Sequence, residues 1–156
     1  MLPSIAQLYL RLSIGSAFAW FGLDRIGAWG PFGKPWISWG DWAHFSPYAH
    51  KLMFFLPYGL AEIFAVIATT IEITCGILLI LGLFTRWAAY AGFGLALSFA
   101  LCMSVANGIT SPLGYSVFTV SAASLILALQ PGYRWSLDQI ILSSYYEKHP
   151  HRHRPI

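Results

Sequence analysis

The chain has 156 residues, of which 57% are hydrophobic and 10% charged, and a formal net charge of +3. Soluble domains carry about a quarter charged residues, so this composition excludes an ordinary water-soluble domain and points to a single membrane domain over residues 1–156. The positive charge gathers in the C-terminal "EKHPHRHRPI", a basic tail suited to fixing topology and touching anionic lipid rather than binding nucleic acid.

Four apolar segments, near residues 5–28, 58–83, 86–106 and 112–130, each approach the ~20 residues that cross a bilayer core as a helix. They lack the alternation of barrel strands, so the expected fold is all-α, an integral membrane four-helix bundle. The first segment is read as a retained helix, because a signal peptide carries its positive charge ahead of the apolar run, whereas here Ile5 to Leu10 precedes Arg11. Gly15 and Ala19 continue the row begun by Arg11, which aims that arginine into the bundle.

Between the first two segments lies "WGPFGKPWISWGDWAHFSPYAHK", with Trp29, Trp36, Trp39 and Trp42 at short intervals. Such rings settle at headgroup level, so a Trp-rich outer loop is expected as a surface cap. Ser46-Pro47 reads as a helix start, giving a short interfacial helix to Pro57.

In the second segment Ala61, Ala65, Ala68, Thr69, Cys75 and Gly76 share a face with Glu72, while Ile63, Ile67 and Ile71 cover other directions. Glu72 lies roughly 21 Å below Tyr58 by helix rise, deeper than Glu62. A charge at that depth costs about 2.5–3.5 kcal/mol on insertion scales, so it pairs, protonates or lines a wet cavity. Aligning the ends of the segments predicts an inner cluster of Arg11 and Glu72 with Arg86 at its mouth, and an outer cluster of Glu62, Asp24 and Arg25. These acids serve either as interhelical ties or as a polar pocket for a headgroup or proton step.

Leu83 to Arg86 makes a tight turn, and the third segment carries a small-residue stripe, Ala88, Gly92, Ala96, Ala100 and Ser104, for close helix packing. "NGITSPLG" is a second turn whose Ser111-Pro112 opens the fourth segment, which Pro131-Gly132 ends. Leu137, Ile140, Ile141 and Tyr145 then recur at helical spacing, predicting an amphipathic C-terminal helix on the inner face. Arg11, Arg86, Arg134, Lys148, Arg152 and Arg154 fall on one side and Arg25, Lys34 and Lys51 on the other; both termini are therefore expected in the cytoplasm.

Cys75 and Cys102 form no Cys-x-x-Cys pair and stand about 12 Å apart in depth, too far for a disulfide. Every histidine (His44, His50, His149, His151, His153) lies in a loop or the tail, so no intrinsic haem is expected, and no metal site either.

"LRLSIGSAFAWFGLDRIG" resembles the opening helix of the DoxX/DoxD-like family of small membrane proteins, with Arg11 matching its early arginine and Gly22 to Arg25 its Gly-x-x-Lys/Arg ending. "IEITCGILLILGLFTRWAA" is similar to the family's most recognisable segment, through Glu72, Gly76, Leu81, Gly82, Thr85, Arg86, Ala88 and Ala89. The long Trp-rich loop and Glu62 depart from the family's short members. The resemblance implies a four-helix bundle in a bacterial or archaeal inner membrane and association with redox partners; DoxD-type members are the membrane subunit of thiosulfate:quinone oxidoreductase.

The functional expectation is a small subunit linked to quinone-dependent oxidoreduction, with Glu72 and Arg11 as the interior polar site and the redox chemistry on a protein partner. Arg86, Glu62, Arg25, Trp39 and Trp42 are the candidate quinone-contacting residues, with Trp36, Phe45 and Tyr48 completing an aromatic border at the outer interface. The rival readings are a non-catalytic assembly subunit of a membrane complex and a small-solute or proton carrier.

Overall fold

The computed structural model describes residues 2–148; the tail and its histidines, the side chain of Tyr145, and the remaining tail expectations lie outside the described residues. Within that range the chain forms seven helices and no strand: α1 (Leu2–Asp24), α2 (Trp42–Leu52), α3 (Tyr58–Leu81), α4 (Thr85–Asn107), α5 (Thr110–Gly114), α6 (Val117–Ala128) and α7 (Leu137–Lys148). The helices α3 and α4 are each long and apolar enough to cross a membrane, and α6 is apolar but shorter.

The expected second and third segments match α3 and α4 closely. The fourth is broken. Ser116 adopts a left-handed φ of 56°, so α5 and α6 are separate pieces rather than one helix over 112–130. The short interfacial helix also starts earlier than Ser46. Asp41, not Ser46, caps it by accepting the His44 N–H at 2.9 Å, and Pro47 lies inside the helix. That same N–H holds the Asp41 carboxyl below the usual carboxylate range.

Packing runs as a closed circuit: α1 lies on α3, α3 on α4, α4 on α6, and α6 returns to α1. Glycine permits the α1–α3 contact. A Cβ on Gly76 would overlap the backbone of Ala19, and one on Gly22 would come within 2.6 Å of Ile73 Cγ1. The small stripe of α4 is buried as its spacing predicts, with Ala88, Ala96 and Ala100 all at most 3% exposed. Gly92 on the same stripe leaves room for the Phe18 ring of α1.

The α3–α4 turn is built from left-handed residues, Gly82 at φ 68° and Phe84 at φ 48°. Gly82 ends α3 by donating its N–H to Leu78 and Leu79 carbonyls, and its missing side chain makes space for the Arg11 guanidinium. Asp138 at the start of α7 then accepts the N–H groups of Phe84 and Thr85 at 2.7 and 2.8 Å. These N–H groups open α4 and have no partner within that helix. The C-terminal segment is thereby fastened across this end of the molecule.

The register between α1 and α3 sets everything at the other end. Gly15 meets Gly76, Leu79 and Ile80, and Gly22 meets Glu72 and Ile73. The end of α1 therefore stands beside Thr69, and the part of α3 from Tyr58 to Thr69 rises about 16 Å beyond it. The Trp-rich segment fills this step. Its Ile37, Phe45, Ala49 and Leu52 are buried, so it packs into the bundle as well as covering its surface, although Trp36 remains 59% exposed.

Candidate functional site

Asp24, the last residue of α1, is fully buried and gathers the loop. Its carboxylate accepts the backbone N–H groups of Ser38, Trp39 and Gly40 at 3.0, 2.9 and 3.3 Å. Those bonds fold residues 25–41 back over the helix end. Arg25 is consequently turned inward.

The Arg25 guanidinium lies at mid-depth against α3. Its Nη1 stands 2.5 Å from Glu72 Oε2 and donates to the Thr69 hydroxyl at 3.2 Å. Both charged side chains are under 10% exposed. The cation also sits over the Phe45 ring at 4.3 Å and near Phe99 at 5.3 Å, a stacking environment suited to a weakly hydrated guanidinium. Glu72 thus occupies the packed small-residue face expected of it, beside Ala65, Thr69, Cys75 and Gly76.

The expected partner of Glu72 is wrong. Arg11 is 3% exposed but lies beside Gly82, where its Nη2 donates to the Trp135 carbonyl at 2.8 Å. Aligning segment ends assumed that α1 and α3 stop at common levels; the observed register instead sets Arg11 opposite the α3–α4 turn. Arg86 is likewise remote from Glu72 and donates to the Gln130 carbonyl at 3.1 Å. The expected outer cluster also divides, because Asp24 serves the loop backbone and Arg25 joins Glu72.

Glu62 belongs to a separate tie between α2 and α3. Its Oε1 accepts the Trp42 indole N–H at 2.6 Å, and its Oε2 accepts the Ser46 hydroxyl at 2.7 Å and faces His50 Nε2 at 2.8 Å. Three side chains of α2 converge on one carboxylate. The tie positions α2 against α3 and α4.

Under α2 lies a cavity of about 580 Å³ between α3 and α4. Trp39, Phe45 and Tyr48 line it from the loop and α2, and Arg25 is the charged residue in its wall. Its size comes from small side chains: Ala68 on α3, and Ala91, Gly94 and Ser98 on α4. A Cβ on Gly94 would touch nothing within 4 Å. This second small face of α4 was present in the sequence at spacings of three and four, offset from the stripe that packs. Cys75 and Cys102 are free thiols, and Cys102 lines the cavity.

The arrangement offers an apolar chamber with one cation at its wall. Arg25 Nε is buried and has no hydrogen-bond partner among the described residues. Glu72 Oε2, although close to Nη1, has no well-directed hydrogen bond there either. A buried donor of this kind costs about 1–3 kcal/mol unless something accepts from it. Neither atom has accessible surface, so what the cavity offers a ligand is its apolar and aromatic lining, which suits a lipophilic molecule.

No curated protein and no solved structure matches the chain. The DoxX family model matches residues 6–106, a span that contains Arg11, Arg25, Glu62, Glu72 and Arg86 as well as the whole of α2, α3 and the cavity-lining part of α4. With well over half of its length covered by that match, the chain belongs to the membrane-associated DoxX family.

Proposed function

We infer that this protein is a multi-pass four-helix subunit of a bacterial or archaeal inner membrane, with α5 and α6 together making the fourth crossing, and that its chamber holds the ring of a quinone. The observation that carries this reading is the apolar cavity lined by Trp39, Phe45 and Tyr48, with Arg25 as the charged residue in its wall. A quinone ring presents flat apolar faces and carbonyl acceptors, matching the aromatic side chains and the polar ends of Arg25 and Tyr48 in the wall. Trp39 and Tyr48 would border the ring and exclude water, Phe45 and Phe99 fix the guanidinium, and Arg25 would be the charged group at the edge of the ring. Glu72 keeps the arginine charge compensated at mid-depth.

A bound quinone supplies two-electron chemistry. The electrons in this reading come from a protein partner. Of the residues first expected to form the site, Arg25 and Trp39 line the chamber, and Glu72 pairs with Arg25 behind its wall. Trp42 and Glu62 hold its roof, while Arg11 and Arg86 stand at the other end.

The test is quinone extraction and titration on protein purified in mild detergent, followed by tryptophan fluorescence. Wild type is expected to retain quinone, and Gly94→Leu, which fills the chamber without touching a charge, to lose at least roughly tenfold in affinity. Undiminished binding by Gly94→Leu, or no binding by wild type, overturns the reading.

A second reading rests on the ion pair itself. The Arg25–Glu72 contact joins the end of α1 to the middle of α3, which is what an assembly subunit with structural acids requires. Co-purification of a larger complex without quinone at this chain favours it.

A further inference from the structure

The opposite end of the molecule carries a second cavity, an open cleft of about 1120 Å³, bounded by the first turns of α1, the α3–α4 turn, residues 130–134 and the start of α7. Arg86 and Arg134 line it, together with Gln7, Thr85 and the aromatic residues Phe84 and Trp87. Asp138 is the carboxylate in its wall, and both of its oxygens are engaged by the Phe84 and Thr85 N–H groups. The opening of α4 is thus already capped. The lining sets two guanidinium groups against one carboxylate, a net positive charge.

The rim of the cleft is aromatic. Phe84 and Trp87, on the same rim, are 62% and 72% exposed, and large rings exposed beside a cationic cavity belong at the boundary between headgroups and acyl chains. Arg86 is held in place by its bond to the Gln130 carbonyl. Gln7 bridges the same wall, donating to the Gly132 carbonyl and accepting the Arg134 N–H at 3.2 Å.

We propose that this cavity binds the phosphate headgroup of an anionic phospholipid, with Arg86 and Arg134 on the phosphate oxygens and Phe84 and Trp87 against the upper acyl chains. Guanidinium groups match phosphate oxygens in geometry as well as charge. Basic pockets at a helix-bundle end, next to exposed aromatic residues, are where acidic headgroups gain most. The site is separate from the chamber under α2 and does not depend on what that chamber holds.

The experiment compares thermal unfolding and native mass spectra of the full chain in nanodiscs of phosphatidylcholine with and without phosphatidylglycerol, and in detergent with inorganic phosphate. Wild type is expected to unfold at higher temperature with phosphatidylglycerol and to retain it with roughly tenfold preference; inorganic phosphate should leave the transition unmoved. R86Q/R134Q should abolish both effects. Gly132→Leu should do the same by obstruction, since a Cβ there meets nothing within 4 Å, and it leaves every charge in place. R152Q/R154Q, which removes the same number of charges from the tail, should retain both.

Equal behaviour in the two lipid compositions overturns the proposal, as does an unchanged preference in both cavity variants. An equal shift with inorganic phosphate replaces it with a soluble-anion site, and loss of the preference only in R152Q/R154Q moves it to the tail.

Discussion

A carboxylate and a guanidinium buried together at mid-depth each depend on the other more than on the fold around them. Removing one partner of such a pair costs about 3–5 kcal/mol, because the other is left charged and uncompensated, whereas replacing both with apolar residues of similar size is often neutral or stabilising. For Glu72 and Arg25 this separates structural necessity from use. Glu72→Ala is expected to destabilise by about that amount, and R25M/E72L to recover most of it, measured by unfolding in detergent or by thermal inactivation. Recovery of stability with continued loss of quinone binding assigns the pair to the chamber; recovery of both assigns it to holding helices. No deficit in Glu72→Ala removes the pair from either role. That Glu72 needed a basic neighbour was legible from its depth. Its choice of Arg25 over Arg11 was not, because that choice depends on where α1 stops, and α1 stops where Asp24 captures three N–H groups from residues 38–40.

At the scale of elements, close approach is written in the small residues, and here the sequence was a dependable guide. Ala61, Ala65, Thr69, Cys75 and Gly76 are buried on α3 as their spacing requires, while Ile63 and Ile67 are 55% and 47% exposed. Lipid offers no hydrophobic gain for burying such a face, so its packing rests on van der Waals contact between backbones. Gly76 is the limiting point, since a methyl group there would overlap the Ala19 backbone rather than a side chain able to rotate away. Gly76→Ala is therefore expected to separate α1 from α3 at a cost of about 1–3 kcal/mol, and to shift Arg25 away from Glu72. Gly94→Ala, on the face of α4 that meets nothing, should be neutral or stabilise by up to about 1 kcal/mol, because a helix prefers alanine. Comparing the two by unfolding midpoint checks the assignment of faces: equal effects contradict it. The cavity beside Gly94 escaped the sequence because it consists of side chains that are missing. A run of small residues signals a tight contact or a void equally well, and only the divergence of the neighbouring helix decides between them.

For the molecule as a whole, the step between α1 and α3 changes the charge count on which orientation rests. Read along the chain, Arg25 belongs with Lys34 and Lys51 on the side of the Trp-rich loop. In the structure it is folded inward onto Glu72 and compensated there, so that side presents only the two lysines. Arg86 and Arg134 meanwhile line the cavity at the opposite end, and Arg11 is held nearby on the Trp135 carbonyl. The folded molecule is thus more asymmetric in free positive charge than its sequence, and a positive-inside bias acts on the end that carries α7. Ile140 and Ile141 of α7 are 63% and 56% exposed there. In a background with Cys75 and Cys102 replaced by alanine, Lys34→Cys should react with a membrane-impermeant maleimide in intact cells, and Arg134→Cys only after permeabilisation. The reverse pattern would place α7 and the proposed phosphate cavity on the outer face, where the anionic lipids of a cytoplasmic leaflet do not reach. Reaction of both from outside would instead mean that α5 and α6, parted at Ser116, do not together make the proposed crossing.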